Sequence, residues 1–371
     1  MRKTNIDTKA NRNTFILGVA SLLTFIIFFC NSDIAIEYMK KGLKLCATSV
    51  IPSLFPFMVI SELIVKSSLS YKIGGVLKYP MKSLFGVSEA GGCAFLLGIL
   101  CGFPIGAKSA ISMYDSGAID KDELERLLCF SNNPGAAFII STVGISLFGN
   151  RRVGLLLYVC IILSSITVGI CSNAFLGKTK KEPLHRAYVC APHKDTVSVF
   201  TSAVSSSAIS MLTVCAYVVF FSSLVGCISS SLHSLSLPTA ICALVFGFFE
   251  MTSGVNAATE VKNIELSLIL CALFTAWSGF SVHFQIMTIC SGRSISFKKY
   301  FVAKAIQGLI CALFMDISLH FIFPHLISIS EDTFTQSRGI MNSQNATLYC
   351  FSFFLASIAV ITLGVRSKRR I

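Results

Sequence analysis

Apolar residues along the chain gather into ten runs, over 14–30, 43–65, 90–113, 127–148, 153–175, 203–225, 238–257, 266–290, 300–323 and 346–365. At about 1.5 Å of helical rise per residue, each is about long enough to cross the hydrocarbon core of a bilayer. The polar stretches between them are short. The longest are 176–199, which is basic, and 324–345, which is polar and weakly charged. The stretch 71–87 is apolar but carries Lys72, Lys78 and Lys82 at intervals, a pattern expected to lie flat on a membrane surface. The first run follows Arg2, Lys3, Lys9 and Arg12 and is not followed by an A-x-A cleavage site, so it reads as an uncleaved helix with a cytoplasmic N-terminus.

Charge decides which runs cross. If all ten did, the loop bearing Lys178, Lys180, Lys181, Arg186 and Lys194 would face outward, against the tendency of basic loops to stay cytoplasmic. The run 90–113 holds Gly102, Phe103, Pro104, Ile105, Gly106, Ala107 and Lys108 at its centre. Proline ends a helix there and glycine lets the chain turn, which predicts a hairpin that dips in and returns. A second hairpin over 238–257, centred on Gly247 to Gly254, brings Arg366, Lys368, Arg369 and Arg370 inside. Lys40, Lys41, Arg151 and Arg152 remain as exceptions. The expected fold is thus an all-α polytopic membrane protein with about eight transmembrane helices plus two re-entrant hairpins, both termini being cytoplasmic.

The two hairpins belong to a repeat. Gly102-Phe103 recurs as Gly247-Phe248 at an offset of 145, and Phe130, Ser131 and Gly135 recur as Phe274, Thr275 and Gly279 at 144. Each hairpin is followed by a helix interrupted by small and polar residues, Ser131 to Gly135 in one case and Thr275 to Ser281 in the other. Opposite entry makes the units inverted repeats, an arrangement typical of secondary transporters. The expected division is an N-terminal segment 1–89, a first repeat 90–175, a basic loop and connecting helix 176–237, a second repeat 238–323, and an outer loop, helix and basic tail 324–371.

Composition closes off other classes. Of the 371 residues, 54% are hydrophobic and only 13% charged, with a mean hydropathy of +0.74. A soluble domain carries about 25% charged residues, so a soluble enzyme, a disordered tail and a secreted disulfide scaffold are excluded. The net charge of +13 reflects cytoplasmic loops rather than nucleic-acid binding. The 15 cysteines include no C-x-x-C pair and sit mainly in apolar runs. No metal or cofactor is expected. H-E-x-x-H, G-x-S-x-G and suitably spaced paired aspartates are lacking, so an enzyme is not expected either.

Irregular backbone at membrane depth needs partners, so the breaks hold the candidate substrate-binding residues. They are Pro104, Gly106, Lys108 and Ser109 at the first hairpin, Asn132 and Asn133 at the first interruption, Glu250, Thr252, Ser253 and Asn256 at the second hairpin, and Ser278 and Gln285 at the second interruption. Lys108 would meet a substrate carboxylate, or else pair with a protein carboxylate. Glu250 would couple protons, pair with Lys108, accept from a substrate hydroxyl, or form a structural ion pair. His283 reads as a hydrogen-bonded interior histidine. Asp316 and His320 share one helical face with Lys304 on the same helix, Glu62 reads as structural, and Asp120 reads as a helix N-cap with Glu123 three residues on. Asn345 heads a glycosylation-like sequon that a bacterial chain would not use.

With Pro52, Ser53, Leu54, Phe55, Pro56 and Phe57 and then Ser61, Glu62 and Leu63 upstream of the Gly102 to Lys108 motif, the chain resembles the sporulation integral membrane protein YlbJ family over about residues 40–325. That family belongs to the nucleoside-recognition Gate superfamily, akin to concentrative nucleoside transporters. The resemblance implies a spore-forming Gram-positive source and a carrier of dipicolinate from mother cell to forespore, in the cell membrane or outer forespore membrane. Where the family run would read Ser-Gly-Pro-x-Phe-Ile-Ile-Gly, this chain has Asn133-Pro134-Gly135-Ala136-Ala137-Phe138-Ile139-Ile140. The alternatives are a nucleoside or nucleobase carrier and a non-transporting spore-maturation scaffold. Expected partners are a small-molecule substrate and the lipid bilayer, with a homo-oligomer left open and nucleic acid excluded.

Overall fold

The computed structural model describes residues 2–67, 69–175 and 196–322, and among them there are helices and no strands. The helices are α1 (Arg2–Cys30), α2 (Ser32–Leu45), α3 (Ile51–Lys66), α4 (Leu69–Val76), the single turn α5 (Lys78–Pro80), α6 (Glu89–Cys101), α7 (Ile105–Asp115), α8 (Lys121–Phe130), α9 (Arg151–Phe175), α10 (Thr196–Ser234), α11 (Thr239–Phe249), α12 (Met251–Thr259), α13 (Ile264–Trp277), α14 (Gly279–Ile289) and α15 (Lys298–Ile317). Wider i→i+5 turns fill Cys46–Val50, Met81–Phe85, Phe138–Leu147 and Ser318–Ile322.

Among the described residues, four stretches are long and apolar enough to cross a membrane: Arg151–Ala174, Thr196–Ser230, Ile264–Ile289 and Lys298–Phe321. Counting each bent helix pair as one span raises this to seven, where the sequence suggested about eight. The run 346–365 and the loops 176–195 and 324–345 lie outside the described residues. The run 127–148 is not one rod, because α8 stops at Phe130 and helix resumes only at Ala136. Pro134 and Gly135 account for that interruption. Pro52 and Pro56, by contrast, do not stop their helix. Helical dihedrals run from α2 through the wide turn Cys46–Val50 into α3, and a widened turn is a common way to absorb prolines that cannot donate.

Residues 90–113 and 238–257 each fold back on themselves. Gly98 of α6 faces Gly106 of α7, and Gly247 of α11 faces Gly254 of α12. In an uninterrupted helix, residues seven or eight apart would stand more than 10 Å apart. Only glycines allow the backbones to approach so closely: a Cβ on Gly254 would overlap the backbone of Gly247. The repeat read from the sequence is therefore one helical turn out of register here. Gly247 matches Gly98 in role, whereas Gly102 lies at the tip.

Two apolar cores hold these parts together. One joins α9, α11–α13 and α15, and the other joins α3, α6–α8 and α14; Phe103, at the first hairpin tip, packs against both. Long helix α10 lies along α2 and α3.

Candidate functional site

The first tip rests on the first interruption. The Phe103 N–H donates to the Asn133 carbonyl at 2.7 Å. Gly98 and Gly106 enclose the Ser131 carbonyl, and Gly102, at φ +85°, lies against Gly135. The carbonyls freed where α8 ends thus meet the hairpin that precedes it in sequence, as buried irregular backbone requires.

A fully buried cation completes this node. Lys304 on α15 donates to the Asn132 carbonyl and to Gln307 Oε1, both at 2.8 Å. Gln307 Nε2 donates to Asn133 Oδ1 at 2.7 Å, and Asn133 Nδ2 donates to Ser165 Oγ at 3.1 Å. No carboxylate pairs with Lys304 among the described residues. Its charge instead sits just beyond the C-terminus of α8, where the helix dipole is negative. Ser131 Oγ and Asn132 Oδ1 are buried beside it without partners among the described residues, as are His283 Nε2 and Gln285 Oε1 on α14.

The second tip repeats the contact with different chemistry. Gly279, at φ +74°, lies against Glu250 and Met251. Glu250 caps α12 by accepting from the Thr252 and Ser253 N–H groups at 3.0 and 2.6 Å, and from both hydroxyls. Ser278 is left-handed at φ +78° and donates to the Thr275 carbonyl. Trp277 Nε1 donates to the Phe248 carbonyl at 3.3 Å, and its indole stacks on Phe248.

The remaining residues fall elsewhere. Lys108 does not pair with Glu250; it lies 3.4 Å from Glu62, which also binds Lys66 at 3.0 Å, and it reaches Ser207 on α10. Ser109 is buried beside it in α7. Pro104 precedes the first residue of α7, which has no side-chain cap. Gln285 donates to Ser281. His283 Nδ1 shares a hydrogen bond with the Tyr300 hydroxyl at 2.8 Å, as an interior histidine should. His320 bridges Asp316 on its own helix and Glu265 on α13. Asp120 caps α8, but Glu123 does not complete a capping box; its carboxylate accepts from Ser88 instead. Gln307 and Ser165 were missed by the sequence reading, although Lys304 and Gln307 are three apart on one helical face.

Thr252, Ser253 and Asn256 also line a cavity of about 460 Å³ between α2, α10, α11 and α12, whose wall carries Lys41 and Lys44.

These features define a polytopic α-helical membrane protein with broken helices seated on helical hairpins. The chain is 27% identical over 334 residues, 82% of each chain, to the sporulation integral membrane protein YlbJ of Bacillus subtilis (strain 168). This likeness agrees with the resemblance to the YlbJ family carried by the motifs in the sequence. No family model and no solved structure matches it.

Proposed function

We propose that the protein is a secondary carrier for a small anionic aromatic acid, dipicolinate by the family resemblance, moved from mother cell towards forespore. The observation that carries this reading is the pair of helical hairpins, each with its tip against the interruption of the helix that follows. Two such units entering from opposite faces form inverted repeats, whose broken helices provide a site near the midplane.

Contacts between loops support opposite entry. Residues expected on the cytoplasmic side touch one another: Lys66 and Ser202, Asp115 and Arg293, Glu125 and Lys299. Residues expected outside do likewise: Ala35 with Ser223, Asn31 with Cys227, Glu265 with His320. On this reading 90–113 re-enters from the cytoplasm and 238–257 from outside, and Lys108 near the first tip lends positive charge to the route of a dianion.

Uptake into proteoliposomes tests the proposal. Labelled dipicolinate is expected to accumulate saturably and labelled uridine is not, and Lys108→Ala is expected to abolish accumulation while the protein stays in the membrane. Uptake of uridine alone would convert the reading to a nucleoside carrier. Uptake of neither would favour a scaffold.

A further inference from the structure

We infer that the cavity between α2, α10, α11 and α12 is a binding site for the aromatic dianion. The inference rests on the carrier reading and gives it a place in the molecule.

The volume of about 460 Å³ is in the range of small-ligand sites and exceeds what one ring with two carboxylates fills. Its chemistry matches both parts of such a molecule. Tyr38 and Phe246 put aromatic rings in the wall; the Lys41 ammonium stands 4.4 Å from the centre of the Tyr38 ring, against which Gly226 also packs. Lys41 and Lys44 supply two ammonium groups one turn apart on α2. Lys44 has no carboxylate partner among the described residues, and Lys41 is held at 2.7 Å by Glu37, an exposed pair that a ligand carboxylate can compete with. Ser222 and Ser229 on α10 are more than nine-tenths buried and line the cavity, where their hydroxyls can donate to a ligand. Two carboxylates would give each ammonium and each hydroxyl an acceptor.

Glu260 is the one carboxylate in the wall, and Glu37, outside it, holds Lys41, so two carboxylates stand against the two ammonium groups and a ligand carboxylate has to displace Glu37. Glu250 lies behind Thr252 and Ser253, with its oxygens already accepting from four donors. Lys41 was awkward for topology, since cationic residues were expected mainly on the other face. A ligand role gives it a reason to be there.

Equilibrium binding of labelled dipicolinate to the full chain in nanodiscs tests the site. The double variant Lys41→Gln and Lys44→Gln is expected to weaken binding about tenfold or more, the scale of losing charge-assisted hydrogen bonds. Lys40→Gln, a neighbouring lysine outside the cavity wall, is expected to bind like the parent. In the unaltered protein, dipicolinate is expected to shield Lys44 but not Lys40 from amine acylation, read by mass spectrometry, which does not depend on how well a variant folds. Undiminished binding by the double variant, or acylation of Lys44 unaffected by ligand, would overturn the cavity assignment and leave the carrier reading standing. Failure of the unaltered protein to bind dipicolinate would remove both.

Discussion

The two hairpins share a backbone design and differ in charge. Each crosses at a glycine pair and sets its tip on the next break in the chain. At the first, the tip is closed by neutral backbone groups, α7 begins without a side-chain cap, and the adjoining break is held by the Lys304 ammonium. At the second, a carboxylate from the chain itself occupies the N-terminus of α12, and no cation holds the break among the described residues. A helix N-terminus attracts anions, so a substrate carboxylate at the second tip would have to displace Glu250. The first tip has no such occupant. Similar geometry therefore does not make the halves interchangeable, and only the first hairpin keeps a helix N-terminus without an anion of its own.

The largest effect that could break the comparison is all-or-none. If the hairpins enter from opposite faces, Ser116→Cys, after α7, and Lys262→Cys, after α12, should react with a membrane-impermeant thiol reagent from opposite sides, in a background freed of native cysteines. Both positions are exposed or lie in loops beyond the hairpins. Reaction of both from one side would end the inverted arrangement, while the helical hairpins themselves would remain.

Next in size is the cation at the first break. Lys304→Met should destabilise the protein by about 2–5 kcal/mol, because the Asn132 carbonyl and Gln307 Oε1 would be left buried without their donor. Ser278→Ala, the corresponding change at the second break, removes one hydroxyl shared over two long contacts and should cost under about 1 kcal/mol. Thermal melting of the two variants in the same detergent measures the contrast. Equal losses would mean that Lys304 is not what holds the first break.

Much of this architecture could be read in advance, because it rests on residues with strong backbone consequences. Pro104, Pro134 and the glycines around them marked where helices stop, and Gly247 to Gly254 marked the centre of a second hairpin. The register of the repeat was misjudged because Gly102 and Gly247 are the same residue type in different roles, one turning the chain and the other admitting a neighbour. The Lys304 node was illegible for another reason. Its partners Asn132 and Asn133 lie in a different apolar segment, and nothing local in α15 specifies which helix end it will meet. Lys108 shows the same limit, since nothing near it in the chain indicates that Glu62 on α3 would reach it. The wall of the cavity is drawn from four helices, so Lys41 stood out in the sequence only as an exception to charge placement and Lys44 not at all.

The smallest expected effect sharpens the contrast at the second tip. Glu250→Gln keeps one acceptor oxygen of two and removes the negative charge from the N-terminus of α12. One or three of the four donors lose their partner, according to which oxygen becomes the amide, and the loss of cap and charge–dipole interaction should cost about 1–2 kcal/mol. A cap is needed whether or not solute is present, so dipicolinate affinity should change by less than about threefold, about 0.7 kcal/mol or less. A carboxylate that carried the coupling proton would behave differently: stability would be nearly unchanged, and accumulation would lose its dependence on an imposed pH gradient. Melting temperature and gradient-driven uptake, measured on one preparation, separate these outcomes. Lost gradient dependence with an unchanged melting temperature would make the second hairpin the working half of the molecule, and the first its support.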